Sequence, residues 1–320
     1  MKMKKLGIAM LIGALCLSIL GGCAKQQQVT KTLKVAALNG PTGMGMVKLM
    51  EDNKENYEIS FYQSADEIVG KVVSGEVDIA CVPSNMGAVL YNKTSGGIKL
   101  LGVNTMGVLY IVENGKAIAS LEDLKGKTIV ASGKGGTPEY VLNDLLLSTG
   151  IDPEKDVDIL YLANHTDVVT KVVTEEGTIA LLPEPHVTIA KNKNNNLQVA
   201  LDLNEQWLQK EGGELPMGVI IAQSALANER EKDLEVFLAD YKSSVDFVNE
   251  KSEEAAALIE KHGIVANKAI ALAAIPNCNI VFKPAKEAKA EIETFYGVLE
   301  EVNPKAIGGT MPDEAFYYSK

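Results

Sequence analysis

A β-α-β-α-β pattern occurs twice in this chain, and that repetition constrains its fold more than any other feature. Leu33 to Leu38 reads as a buried strand, followed by a Gly-rich turn and a helical stretch from Met46 to Asn53. Glu58 to Tyr62 is the next strand. Ser64 and Glu67 then form an S-x-x-E capping box that opens a helix to Ser74, and Gly75 ends it. The strand Val77 to Val82 closes the unit. The second unit runs from a strand at Gly107 to Val112, through a short capped turn at Ser120 to Leu124, to a strand at Lys127 to Ser132. A helix to Ser148, a strand at Asp158 to Ala163, a helix at Asp167 to Thr174 and a strand at Thr178 to Leu182 complete it. Strands alternating with helices predict parallel sheets with helical crossovers, an α/β fold. The last third is mainly helical: Leu234, Phe237, Leu238, Tyr241, Val245 and Val248 recur at helical spacing. Further helices are predicted at Ser252 to His262 and Ala285 to Glu301, and the aromatic tail Phe316-Tyr317-Tyr318 is predicted to dock.

The N-terminus is read apart from the fold. Lys2, Lys4 and Lys5 precede an apolar run from Leu6 to Leu20, the order of a secretory signal. That run is about 15 residues, short of the roughly 20 that span a bilayer. Leu20-Gly21-Gly22-Cys23 resembles the lipobox of bacterial lipoproteins, which implies cleavage before Cys23 and lipidation of its thiol. Residues 1–22 are then a signal peptide and 23–29 a lipid-anchored tether. The implied product is a palmitate-bearing lipoprotein on the extracytoplasmic face of the bacterial cell membrane. A single acyl chain anchors weakly, so stable attachment takes two or more.

The 298 residues from Cys23 onward suit one large or two medium domains. Formal net charge is −11, and loss of the three signal lysines takes the mature part to about −14. Nucleic-acid binding needs a basic footprint and is excluded as the expectation. Cys81 and Cys278 read as buried free thiols, or as a bridge if the fold brings their Cα atoms close, and no Cys/His run has zinc spacing. No cofactor is called for. Arg230 is the only arginine, so a guanidinium clamp on a carboxylate or phosphate has one candidate.

Three segments carry a family likeness. Gly75-Glu76-Val77-Asp78-Ile79-Ala80 resembles the end of the first three-strand unit in solute-binding proteins of the nitrate/sulfonate/taurine type, relatives of thiamine-pyrimidine-precursor binding proteins. Asp123-Leu124-Lys125-Gly126-Lys127-Thr128-Ile129 is similar to the start of their second lobe. Leu181-Leu182-Pro183-Glu184-Pro185-His186 is similar to their proline-flanked glutamate after a strand. The resemblance implies a two-lobed type 2 periplasmic-binding-protein fold with two crossover strands and an interlobe cleft. It also implies transport: a monomer that delivers a solute to an ABC-transporter permease. Lobe one would be 30–105 and 218–320, lobe two 106–217.

Ligands of open α/β sheets sit beyond the carboxyl ends of strands, and this rule selects the candidate loops. The first is Asn39-Gly40-Pro41-Thr42-Gly43, where glycines allow close backbone approach or simply make a tight turn. In the second, Ser84 and Asn85, the serine either meets ligand or caps a helix. The third holds Ser132, Lys134, Gly136, Thr137 and Tyr140, with Thr137 suited to a cap and Pro138 to the first helical position. It lacks the G-x-x-x-x-G-K-[ST] order of a nucleotide loop. His165, Glu184 and the crossover pair Thr105 and Met106 complete the set; Met106 suits core packing equally. These groups suit a small anion such as a sulfonate or nitrate, or a neutral heterocycle read by hydrogen bonds and stacking. Two other functions share the fold: a sensor docking a membrane receptor, and an enzyme of pyrimidine- or menaquinone-precursor type. For the enzyme no catalytic constellation is evident in the sequence.

Overall fold

The computed structural model describes residues 28–62 and 64–319; the predicted signal peptide and Cys23 lie outside them. Two sheets organise the chain. The first has six strands in the order β11-β4-β10-β3-β1-β2: β1 Leu33–Leu38, β2 Tyr57–Tyr62, β3 Ile79–Pro83, β4 Ile98–Thr105, β10 Gly218–Gln223 and β11 Ile280–Pro284. The second has five, β7-β6-β8-β5-β9: β5 Leu109–Glu113, β6 Thr128–Ala131, β7 Asp158–Tyr161, β8 Ile179–Pro183 and β9 Gln198–Asp202.

Each sheet has the expected parallel core. β1 pairs with β2 and β3, and β6 with β7 and β8, all parallel. Into each sheet one antiparallel strand is inserted where the chain has just passed over from the other sheet, β10 after β9 and β5 after β4. β10 lies between β3 and β4, with Gly218 opposite both Pro83 and Thr105. β5 lies between β8 and β9, with Leu109 opposite Pro183. These are the two crossover strands. β3 reads Ile-Ala-Cys-Val-Pro and β8 Ile-Ala-Leu-Leu-Pro, apolar throughout because helices cover both faces.

The helices are α1 Pro41–Met44, α2 Val47–Asp52, α3 Ala65–Val73, α4 Ser84–Lys93, α5 Thr137–Ser148, α6 His165–Thr174, α7 His186–Lys193, α8 Leu203–Glu211, α9 Ser224–Glu229, α10 Glu231–Glu250, α11 Ser252–Lys261, α12 Lys268–Ala274 and α13 Lys289–Val302. The predicted capping box of Ser64 with Glu67 forms, and the capped turn at Ser120 is also a box, with Asp123. Alternation along β1 splits the core: Val35 and Ala37 face α10 and α11, while Ala36 faces the opposite layer. That opposite layer is continuous with the core of the second sheet, and a smaller cluster around Val168 and Leu182 covers its far face.

Several local expectations are corrected. The helix expected from Met46 to Asn53 is α2, and the Gly-rich turn before it holds one turn of helix, α1. The helix that Ser84 was expected to cap is α4, which begins at Ser84 itself; strands β9 and β11 have no counterpart in the sequence reading. The tail docks as predicted: Phe316 is fully buried, and Tyr317 pairs with Leu100. Cys81 and Cys278 are free and buried. Ahead of β1, the Val29 N–H reaches Asn56 Oδ1 at 3.4 Å, and Thr30 is bound through N–H and hydroxyl to Asp233.

Candidate functional site

The parallel strands of the two sheets end toward one another. Thr137, first residue of α5, donates its hydroxyl to Asn85 Oδ1 of α4 at 3.1 Å. Gly40, with φ of 96°, lies against the Pro185 ring, 3.9 Å from where a Cβ would stand. Contacts between the sheets therefore flank a cleft bordered by the ends of β1, β3, β6, β7 and β8.

At these strand ends the cap residues of α1, α4, α5 and α7 make no side-chain cap bond, and in α7 Glu184 instead accepts from the Thr188 N–H of the first turn. The caps expected from Ser84 and Thr137 are not made. Pro83, not Ser84, is the cap position of α4, and Gly136, not Thr137, is that of α5. Pro138 accordingly falls at the second helical position. Helix α6 differs, since Asn164 accepts from the Asp167 N–H.

Ser84 is fully buried, and its hydroxyl has no partner among the described residues. Its carbonyl accepts from the Tyr296 hydroxyl at 2.7 Å, and its N–H donates to Met217 O. Asn85 is buried and fixed from both ends, its Nδ2 donating to Ala306 O at 3.3 Å. Ser132 Oγ lies 2.6 Å from His165 Nδ1. The His165 ring stands against His186, centroids 4.9 Å apart, and His186 Nδ1 is buried without a partner. Burial pushes the His165 imidazole down to about 4; burial, with His165 beside it, pushes His186 down to about 3.

Other candidates are committed to the protein itself. Glu184 is buried, and both its oxygens accept from Thr188, one from the N–H at 3.1 Å and one from the hydroxyl at 3.0 Å. It ties down the first turn of α7, and burial raises its carboxyl. Gly43 is glycine because Phe61 occupies the space: a Cβ would lie 2.8 Å from Phe61 Cε1, so the close approach is to its own lobe. Thr105 donates to Asn104 Oδ1 at 3.2 Å, and Met106 is buried in the core. Asn39, Pro41, Thr42, Gly136 and Tyr140 are half-buried at the strand ends. Lys134 is exposed, with its ammonium 5.5 Å from the Tyr161 ring centroid.

The crossovers meet in a polar hinge. Met217 N–H donates to Thr105 O, Met106 N–H to Asn279 O, and Asn279 Nδ2 to Gly107 O. Asn204 pairs through its amide with both N–H and C=O of Leu109, as a neighbouring strand would. Sequence reasoning left His186, Asn204 and Asn279 out of the site and hinge. The Pro-Glu-Pro-His run directly after a strand was the signal for His186; the two asparagines carry none.

The comparisons with known proteins agree with this fold. The family model described as "ABC transporter, phosphonate, periplasmic substrate-binding protein" matches residues 48–271. The chain is 23% identical over 238 residues to the putative binding protein YtlA of Bacillus subtilis, covering 71% of this chain and 69% of that protein. An ABC transporter structure from Parabacteroides distasonis superposes with a TM-score of 0.77 at 24% identity, over 91% of this chain and 99% of that one. The periplasmic aliphatic sulphonate binding protein SsuA of Escherichia coli gives 0.70 at 17%, over 90% and 92%. The likeness to these two structures is one of fold. With the family model matching well over half of its length, the chain belongs to the periplasmic substrate-binding proteins of ABC transporters, in the phosphonate-binding family.

Proposed function

We propose that this protein captures a small solute between its lobes and hands it, without turnover, to an ABC-transporter permease. The observation that carries this reading is the Thr137–Asn85 bond, which joins the lobes at the strand ends beside the buried, unpartnered Ser84 hydroxyl. A polar group sealed away without a partner costs free energy unless something satisfies it, and in this reading the solute does so. The ligand-binding set is proposed as Asn39, Pro41, Thr42, Ser84, Asn85, Ser132, Gly136, Thr137, Tyr140 and His165, with His186 added. Glu184, Gly43, Thr105 and Met106 support the site from behind. Lobe one comprises 30–105 and 218–320, lobe two 106–217. Solute bridging both lobes biases the closed state by its differential affinity for that state.

Membrane attachment through Cys23 belongs to the same reading. No helix among the described residues is long and apolar enough to cross a membrane. The lipobox-like run before Cys23 supports an acyl anchor, and Cys23→Ser should release the protein from the membrane fraction. A thermal-shift screen tests capture itself, because ligand that binds only the folded state raises Tm by mass action. Sulfonates, nitrate, pyrimidines, flavins and amino acids form the panel, and a protein that responds to none and carries no solute contradicts the reading.

A further inference from the structure

Helix α4 carries two asparagines, Asn85 and Asn92, spaced so that they lie on one face, two turns from each other. Both reach the same short segment near the end of the chain. We propose that this segment, 303–310, positions the solute site from behind, with Asn92 as the positioning residue that acts through Asn85. The proposal rests on the solute-capture reading, in which Asn85 meets solute between the lobes.

The segment holds a single tight turn, Pro304–Ile307, closed on itself. Asn303 Oδ1 accepts from the Lys305 N–H at 3.2 Å, and the Lys305 and Pro304 carbonyls accept from the N–H groups of Gly308 and Gly309. The next two carbonyls go to α4 instead. Ala306 O accepts from Asn85 Nδ2 at 3.3 Å, and Ile307 O accepts from Asn92 Nδ2 at 2.7 Å. Thr310 O accepts from the same Asn92 nitrogen, also at 2.7 Å, so both donors of that amide are spent on the segment. Gly308, with φ of 83°, passes so close to α4 that a Cβ there would stand 3.0 Å from Val89 Cα. Ala306 and Ile307 are buried, so segment and helix are packed as well as bonded.

The polarity of this arrangement fixes how Asn85 faces the other lobe. A backbone carbonyl only accepts, whereas a threonine hydroxyl donates or accepts. Ala306 O therefore draws the Nδ2 end of the Asn85 amide and leaves Oδ1 for Thr137, which donates to it at 3.1 Å. With Ala306 O displaced, the amide is free to turn, and the bond across the cleft loses its direction. Asn92 keeps Ala306 in place by holding the carbonyls of Ile307 and Thr310 on either side of Gly308. Its neighbour Tyr91 also binds the tail, with its hydroxyl 2.6 Å from Asp313 Oδ1. That bond lies beyond the segment and touches no residue of the site, so Tyr91 serves as the control.

The test is amide hydrogen exchange of the purified protein, read by mass spectrometry over the start of α5 in the other lobe, where Thr137 sits. Thr137→Val is the reference, since it removes the bond across the cleft directly. Asn92→Ala should speed exchange there by about fivefold, as the reference does, the effect of one buried hydrogen bond lost. Tyr91→Phe, which also loosens the tail, should leave that stretch at the parent rate. Adding Asn92→Ala to Thr137→Val should bring no further gain, because both act on one bond. Parent exchange over the start of α5 in Asn92→Ala overturns the proposal. An equal gain in Tyr91→Phe overturns it too, because it would mean general loosening rather than positioning. Should Asn92→Ala fail to fold, Asn92→Ser, which keeps one donor, is read by the same criteria. No solute is added, so this test fails independently of the thermal-shift panel that tests capture.

Discussion

The hydroxyl of Thr137 donates to the side-chain carbonyl of Asn85 at 3.1 Å, and with this bond the first residue of α5 holds the second residue of α4 across the cleft. Both residues are buried, so the bond is shielded from water.

Thr137→Val keeps the volume of the side chain and removes the donor. Asn85 Oδ1 is left without a partner, a loss of about 1 kcal/mol from the closed form. The expected outcome is a larger radius of gyration by small-angle X-ray scattering and a solute affinity lower by roughly fivefold. An unchanged radius and affinity would show that the bond plays no part in closure.

The two crossovers are packed against asparagines. A Cβ on Gly218 would lie 2.5 Å from Asn104 Oδ1, and one on Gly107 would overlap the Asn204 amide. Gly218→Ala should therefore cost about 1–3 kcal/mol in urea unfolding, the usual range for overpacking. Asn104→Ala combined with Gly218→Ala should recover part of that loss. Strict additivity of the two changes would argue against the contact.

Trp207 is the only tryptophan, and it is buried edge-on to Phe295 with centroids 5.8 Å apart. Phe295→Ala removes a fully buried ring and should cost about 3–5 kcal/mol. Trp207 emission should shift to the red in that variant, because its ring gains contact with water. Emission identical to the parent protein would contradict the packing.

Stability should depend on acid through the histidine pair. His165 and His186 are pushed down to about 4 and 3, below the 6.5 of an unfolded histidine. The unfolded chain binds more protons in this window, so stability rises with pH and the contribution is complete above about 6.5. It falls as pH drops from there toward 3. A His165→Gln, His186→Gln double variant should show a flatter dependence of Tm between pH 6.5 and 4 than the parent. An equally steep profile would place the acid sensitivity elsewhere.

Much of the fold could be read locally, and much of the site could not. The capping boxes at Ser64 and Ser120 and the apolar runs of β1, β3, β6 and β8 are signals within a few residues of one another. The antiparallel insertion of β10 beside β3 is not, because Val219 and Val82 pair across more than a hundred residues of intervening chain. Thr137 before Pro138 looks like a cap in sequence, yet its hydroxyl goes to Asn85, which only the tertiary fold brings near. Gly43 looked like a ligand cradle, and the Phe61 ring from the neighbouring strand accounts for it instead. Ser84 was legible as a residue at a strand end; that its hydroxyl is buried and unpartnered needed the structure.

Small-angle scattering of the protein, stripped of solute by unfolding and refolding and then resupplied with whatever it releases, tests lobe closure most directly. The account predicts a smaller radius of gyration when the solute returns and a larger one in its absence. Saturable rebinding with no change in radius would contradict it.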